Sequence, residues 1–245
     1  MPKLEHDDVS IRYEDTGAGT GFPVLLLSPG AMDATVEAWA RAAYNPLTAL
    51  DGAYRLISMD HRNAGQSVGP LDPDDPWGTQ VRDQIDILDR LGIDRVHVIG
   101  CCIGASYALK MAEMVPDRVV SMVLEQPIGI VPDNDGHWQQ DRRGWATRLT
   151  GKRADIDPEV AERFGANMWD DGEFVVSVSR DFVRSCTTPM AVLPGVDGVH
   201  PREIALEIVD LAPDVVLIDP WKETPELRAA AAERVRAFLD ANTPA

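Results

Sequence analysis

Several short apolar runs recur along the chain, each closed by turn residues and separated from the next by a stretch of helical spacing. "PVLLLSPG" (Pro23 to Gly30) is continuously apolar before its turn, the pattern of a parallel strand buried on both faces. "YRLISMD" (Tyr54 to Asp60), "VHVIG" (Val96 to Gly100), "VVSMVLEQ" (Val119 to Gln126), "PMAVLPG" (Pro189 to Gly195) and "VVLID" (Val215 to Asp219) have the same character. "VSIRYED", from Val9, alternates instead, as an antiparallel edge strand does. Between these runs, helices are expected over Thr35 to Ala42, Thr79 to Leu91, Ala105 to Glu113, Pro201 to Leu211 and Pro225 to Ala241. Strand and helix in turn predict a mostly parallel sheet with helices on both faces.

One segment breaks the rhythm. Over 131–186 no central strand is expected, and Trp138, Trp145 and Trp169 lie on helix-like stretches. A helical cap over the strand ends fits this pattern, because large aromatics on an insertion commonly wall an apolar pocket. The expected organisation is one α/β domain over 1–245 with a short cap at 131–186 inside it.

Chemistry gathers at "VIGCCIGAS" (Val98 to Ser106), a G-x-nucleophile-x-G frame with a strand before it and a helix after it. Cys102 stands at the nucleophile position. At the sharp turn of such an elbow a flanking side chain would strike neighbouring backbone, hence the glycines. A helix N-terminus also favours negative charge, so it is expected to promote the Cys102 thiolate. Cys101 should point away from the apex into packing, and Cys186 has no motif.

Three further segments carry a family pattern. "PVLLLSPGAMDA" resembles a strand and oxyanion loop, "SMDHRNAGQS" a D-x-R-G-x-G-x-S segment, and "MAVLPGVDGVHP" the strand and turn that bear a triad acid. With the elbow, these make the chain similar to the α/β-hydrolase fold superfamily over nearly its whole length. The nearer likeness is to the capped, esterase-like branch, although cysteine at the elbow is a feature of dienelactone hydrolases. The resemblance implies Cys102 as nucleophile, Asp197 as acid, and Gly30, Ala31 and Ile103 as backbone donors to an oxyanion. It implies hydrolysis of a small ester, lactone or thioester through an acyl-enzyme, with no cofactor.

The pattern breaks at the base. The loop after the last strand, where the family carries histidine, reads "LIDPWKETPEL" and has none. Three arrangements stay open. His200, three residues after Asp197, takes the role of base. Alternatively Lys222 serves as a base or as a cation beside the thiolate. In the third no base exists, and the protein is a ligand-binding protein or a cofactor-free lyase or cyclase. Glu125, at the end of another strand, could replace Asp197, and His137 could reach the pocket from the cap. His6, His61 and His97 read as surface or structural residues.

Charge and composition narrow the partners. A formal charge of −17 repels nucleic acid and anionic membrane, so a small-molecule substrate is expected and neither of those. No apolar run approaches the ~20 residues of a membrane span, and the start lacks the pattern of a signal peptide. Three cysteines make no disulfide framework, which points to the cytoplasm. No metal-ligand spacing and no dinucleotide fingerprint are present. Self-association as a homo-oligomer is left open.

Overall fold

A computed structural model describes residues 2–17, 19, 21–132, 134–169 and 174–244, the side chains of 135–142 excepted. Eight strands form one sheet: β1 Lys3–His6, β2 Val9–Asp15, β3 Pro23–Leu27, β4 Arg55–Met59, β5 Val96–Cys101, β6 Val119–Glu125, β7 Met190–Leu193 and β8 Val215–Leu217. Their spatial order is β1-β2-β4-β3-β5-β6-β7-β8. The first two pairings, β1 with β2 and β2 with β4, are antiparallel. From β4 to β8 every pairing is parallel.

The helices are α1 Pro46–Ala49, α2 Pro76–Arg90, α3 Ile103–Met114, α4 Asp135–Lys152, α5 Pro158–Trp169, α6 Arg180–Ser185, α7 Arg202–Leu211 and α8 Pro225–Asn242. The continuous apolar runs became the middle of the sheet because both of its faces are covered there: every residue of β5, β6 and β7 is buried.

Several details depart from the expected elements, the short helix α1 among them. The helix expected over Thr35 to Ala42 is a 3-10 helix, Val36–Arg41. Its bonds run i to i+3, from Ala38 N to Thr35 O and from Ala42 N to Trp39 O. Its first N–H, of Val36, is drawn off to Asp60 Oδ1 at 3.0 Å. The strand β1 was not foreseen, since "KLEH" buries only Leu4 and has too little alternation to signal an edge strand.

Asp60 organises the C-terminal end of β4. Its carboxylate accepts from Val36 N, Gln66 N and the Arg12 guanidinium, and its carbonyl accepts from Ser67 Oγ. Asn63, at φ 65°, stands where the family segment has its first glycine. Asparagine is one of the few side-chain residues at ease in that left-handed region. Arg62 forks onto Asp83 of α2 at 2.6 and 2.9 Å, fastening the loop to the helix.

Between β6 and β7 lie α4, α5 and α6. Trp77 Nε1, on α2, donates to Met168 O on α5 at 3.1 Å, and Arg148 on α4 pairs with Asp33 beside the β3 loop at 2.6 Å. Trp145 packs on Phe164 with ring centroids 5.5 Å apart, and Trp169 meets Trp77 edge-on. Both tryptophans are buried in these helix contacts. Trp138 lies outside the described side chains. Among the described residues no helix is long and apolar enough to cross a membrane.

Candidate active site

The elbow is shaped by steric necessity. A Cβ at Gly100 would lie 2.1 Å from Gly104 O, and one at Gly104 would lie 1.9 Å from Leu27 O, so helix α3 reaches the sheet this closely only without those side chains. Cys102, between them, is the N-cap of α3 at φ 59° and ψ −121°. That conformation costs a non-glycine residue on the order of 1–3 kcal/mol. The strain is held by neighbours, among them the bond from Cys102 N to Glu125 O at 2.9 Å.

Around the Cys102 sulfur stand the backbone N–H groups of Ile103, Gly30 and Ala31, and the charge of Asp197 acts on it as well. The first loop after β3 and the first turn of α3 thus meet at the thiol. Gly30 and Ala31 both have positive φ, 135° and 50°, which turns their N–H groups out of the strand direction.

These donors do not make a resting thiolate. Burial raises the Cys102 thiol, the three N–H groups lower it, Asp197 raises it, and the balance pushes it from 9 up to about 11. The expected ionisation at the helix terminus is therefore corrected: desolvation of a buried sulfur outweighs the dipole, and the thiol is neutral at neutral pH.

Asp197 and His200 form a closed pair in the turn after β7. His200 Nδ1 lies 2.9 and 3.1 Å from the two Asp197 oxygens, and the backbone N–H groups of Val199 and His200 also donate to Oδ1. Burial acts to raise the Asp197 carboxyl, but hydrogen bonds from His200 and Val199 outweigh it and hold it below the usual range. With Nδ1 donating to a carboxylate, a neutral His200 keeps the lone pair on Nε2.

Lys222, in the loop after β8, bonds through Nζ to Gln126 Oε1 and sits 5.5 Å from the centre of the Trp221 ring. Trp221 is itself fixed by its Nε1 bond to Pro194 O at 2.8 Å. The charge of Lys222 falls on Glu125. Glu125 is fully buried behind the elbow. Burial raises its carboxyl to about 8, against the lowering effects of the Tyr44 N–H, the Cys101 thiol and Lys222. Cys101 does point away from the apex, toward Glu125. His137 has its side chain outside the described residues.

The structure thus gathers the N–H groups of Ile103, Gly30 and Ala31 at the Cys102 sulfur, sets the charge of Asp197 within electrostatic reach of it, and couples His200 to Asp197. It sets Lys222 and Glu125 in a second polar group with Gln126, Tyr44 and Cys101. Tyr44 and Gln126 carried no motif that would have singled them out. Among the described residues no three His, Cys, Asp or Glu side chains are gathered so as to hold a metal ion.

A family model for the alpha/beta hydrolase fold matches residues 23–174. The chain belongs to this family. Its elbow lies within the matched stretch. Over 104 residues it is 33% identical to the "Putative carbamate hydrolase RutD" of Klebsiella pneumoniae, covering 42% of this chain and 37% of that one. Over 119 residues it is 32% identical to the 2-hydroxy-6-oxononadienedioate/2-hydroxy-6-oxononatrienedioate hydrolase of Paraburkholderia phymatum, covering 48% and 40%. The chain spans about two fifths of the length of these curated relatives. In fold it is similar to the meta-cleavage product hydrolase CumD of Pseudomonas fluorescens, with a TM-score of 0.70 at 19% identity over 96% of each chain.

Proposed function

We propose that the protein is a hydrolase of small carbonyl compounds that works through Cys102. The observation that carries this reading is the convergence of three backbone N–H groups on a sulfur held in a strained turn, with an acid–imidazole pair in the loop whose acid acts on that sulfur. Family membership supports it, and so do relatives named as hydrolases.

Because the resting thiol is neutral, acylation needs a base. His200 Nε2 takes the thiol proton as sulfur attacks the carbonyl carbon, and Asp197 steadies the imidazolium that forms. The carbonyl oxygen, now an oxyanion, accepts from the N–H groups of Ile103 and the Gly30–Ala31 loop, each donor typically worth about 3 kcal/mol. Collapse expels the leaving group with the proton from His200. Water then attacks the thioester with His200 again as base, and Cys102 is regenerated. In this reading 131–186 caps the site, and esters, lactones and thioesters are the substrate classes. The carbamate and the dienedioate in the relatives' names extend the set to test. Three buried free cysteines suit a reducing cytoplasm.

A second reading is favoured by one specific observation: the loop after β8 offers Lys222, engaged with Gln126, where the family carries histidine. On it the pocket binds a ligand or guides a lyase or cyclase step. Chromogenic esters, thioesters and carbamates assayed on the wild type and Cys102→Ala separate the two. Hydrolysis lost in Cys102→Ala upholds the first, and no hydrolysis by the wild type upholds the second.

A further inference from the structure

Asn134 is the N-cap residue of α4, a position where an asparagine side chain ordinarily accepts from an N–H of the helix's first turn and stabilises it by about 1 kcal/mol. Here no such bond is made. The side chain, 5% exposed, is spent elsewhere. Its Oδ1 accepts from Val131 N at 2.9 Å, and its Nδ2 donates to Gly129 O at 2.9 Å and to Gly198 O at 3.1 Å. Gly198 is the residue between Asp197 and Val199, 64 positions away in the chain.

The turn it grips is otherwise closed on itself. Asp197 bonds back to Val199 and His200, and His200 folds over Gly195 so tightly that a Cβ there would lie 2.2 Å from His200 Cβ. On its outer side is a cavity of about 350 Å³ bordered by Asn134, Asp197 and Gly198. A turn with solvent space beside it needs an external fixture if the imidazole is to keep one direction.

We propose that Asn134 is a positioning residue, clasping the Asp197–His200 turn to the loop that leads into α4 and so setting the direction of the His200 ring. This rests on the reading of Asp197 and His200 as acid and base. It accounts for an asparagine that forgoes capping: the amide is the smallest side chain that can accept from Val131 while donating to both Gly129 and Gly198.

The decisive variant is Asn134→Ser. Serine caps helices as well as asparagine does, but its single hydroxyl cannot donate to both carbonyls. The melting temperature should fall by a few degrees, because the three lost hydrogen bonds outweigh the cap that serine can make. The kcat for p-nitrophenyl acetate should fall about tenfold or more, with KM within about twofold, as loss of orientation dictates. Long-range ¹H–¹⁵N spectra should show His200 moving from the Nδ1–H tautomer toward the Nε2–H form that free histidine favours. Asn134→Asp, which keeps the acceptor and loses both donors, should move the tautomer the same way. An unchanged tautomer in both variants overturns the proposal, whether or not kcat falls. So does a lowered melting temperature with kcat and tautomer intact. A shifted tautomer in a protein whose wild type hydrolyses no ester upholds the clasp and removes the hydrolase reading instead.

Discussion

Replacing Glu125 with glutamine removes a proton-binding group from the interior while keeping an oxygen for the Tyr44 N–H, which Glu125 Oε1 accepts at 3.1 Å. In the folded protein the carboxyl is raised from 4.5 to about 8, with burial as the main cause. The folded state therefore holds a proton between these values that the unfolded state releases. The contribution of Glu125 to stability falls as pH rises from about 4.5, by up to ~1.4 kcal/mol per pH unit, and levels off above about 8. The full loss is on the order of 5 kcal/mol, a large share of a typical domain's 5–15. Glu125→Gln binds no such proton, so it should gain on the wild type steadily across that window. Other groups titrate there too. His61 is lowered by burial from 6.5 to about 4, so it costs stability as pH falls through that range. The difference between variant and wild type cancels it. Urea unfolding of both proteins at intervals from pH 5 to 8.5 gives that difference directly. A difference that stays flat, or that narrows as pH rises, would refute the claim that Glu125 is buried as a neutral acid.

Other outcomes follow from the elbow and its thiol. Cys102→Gly relieves the positive φ, so it should raise the melting temperature by a few degrees, about 1 kcal/mol, while abolishing activity; a lower melting temperature would contradict the strain. Gly104→Ala should destabilise by about 3 kcal/mol or more in urea unfolding, because its methyl meets Leu27 O, and a change under 1 kcal/mol would show that the strand–helix contact can yield. Iodoacetamide should alkylate Cys102 more slowly than an exposed thiol at pH 7, with a rate rising about tenfold per pH unit; fast labelling at pH 7 would mean a resting thiolate. His200→Ala should lose the acylation burst itself, since no ionised sulfur is waiting to attack, and a preserved burst would assign the base elsewhere.

The fold was legible where geometry leaves a sequence little choice. A strand buried on both faces must read as an apolar run, and the elbow glycines must stand where a Cβ would strike Gly104 O and Leu27 O. Asp197 and His200 were legible as a pair because a spacing of three residues across a tight turn allows their side chains to meet. What stayed hidden depends on contacts between distant segments. The state of the Cys102 thiol is decided by how completely it is buried once distant segments have packed around the elbow, which no local pattern encodes. Nothing local distinguishes an asparagine that caps its helix from one whose amide reaches 64 residues along the chain to Gly198. The six residues Val36–Arg41 look helical, and only the pull of Asp60 on their first N–H tells otherwise.

The central claim is that Cys102 forms a covalent acyl-enzyme, and intact-mass spectrometry of the protein quenched after mixing with p-nitrophenyl acetate tests it most directly. One acetyl group per chain is expected, mapped to the peptide carrying Cys102, absent in Cys102→Ala and strongly reduced in His200→Ala. Acetylation that maps elsewhere, or none on the wild type while the ester is still consumed, would contradict it.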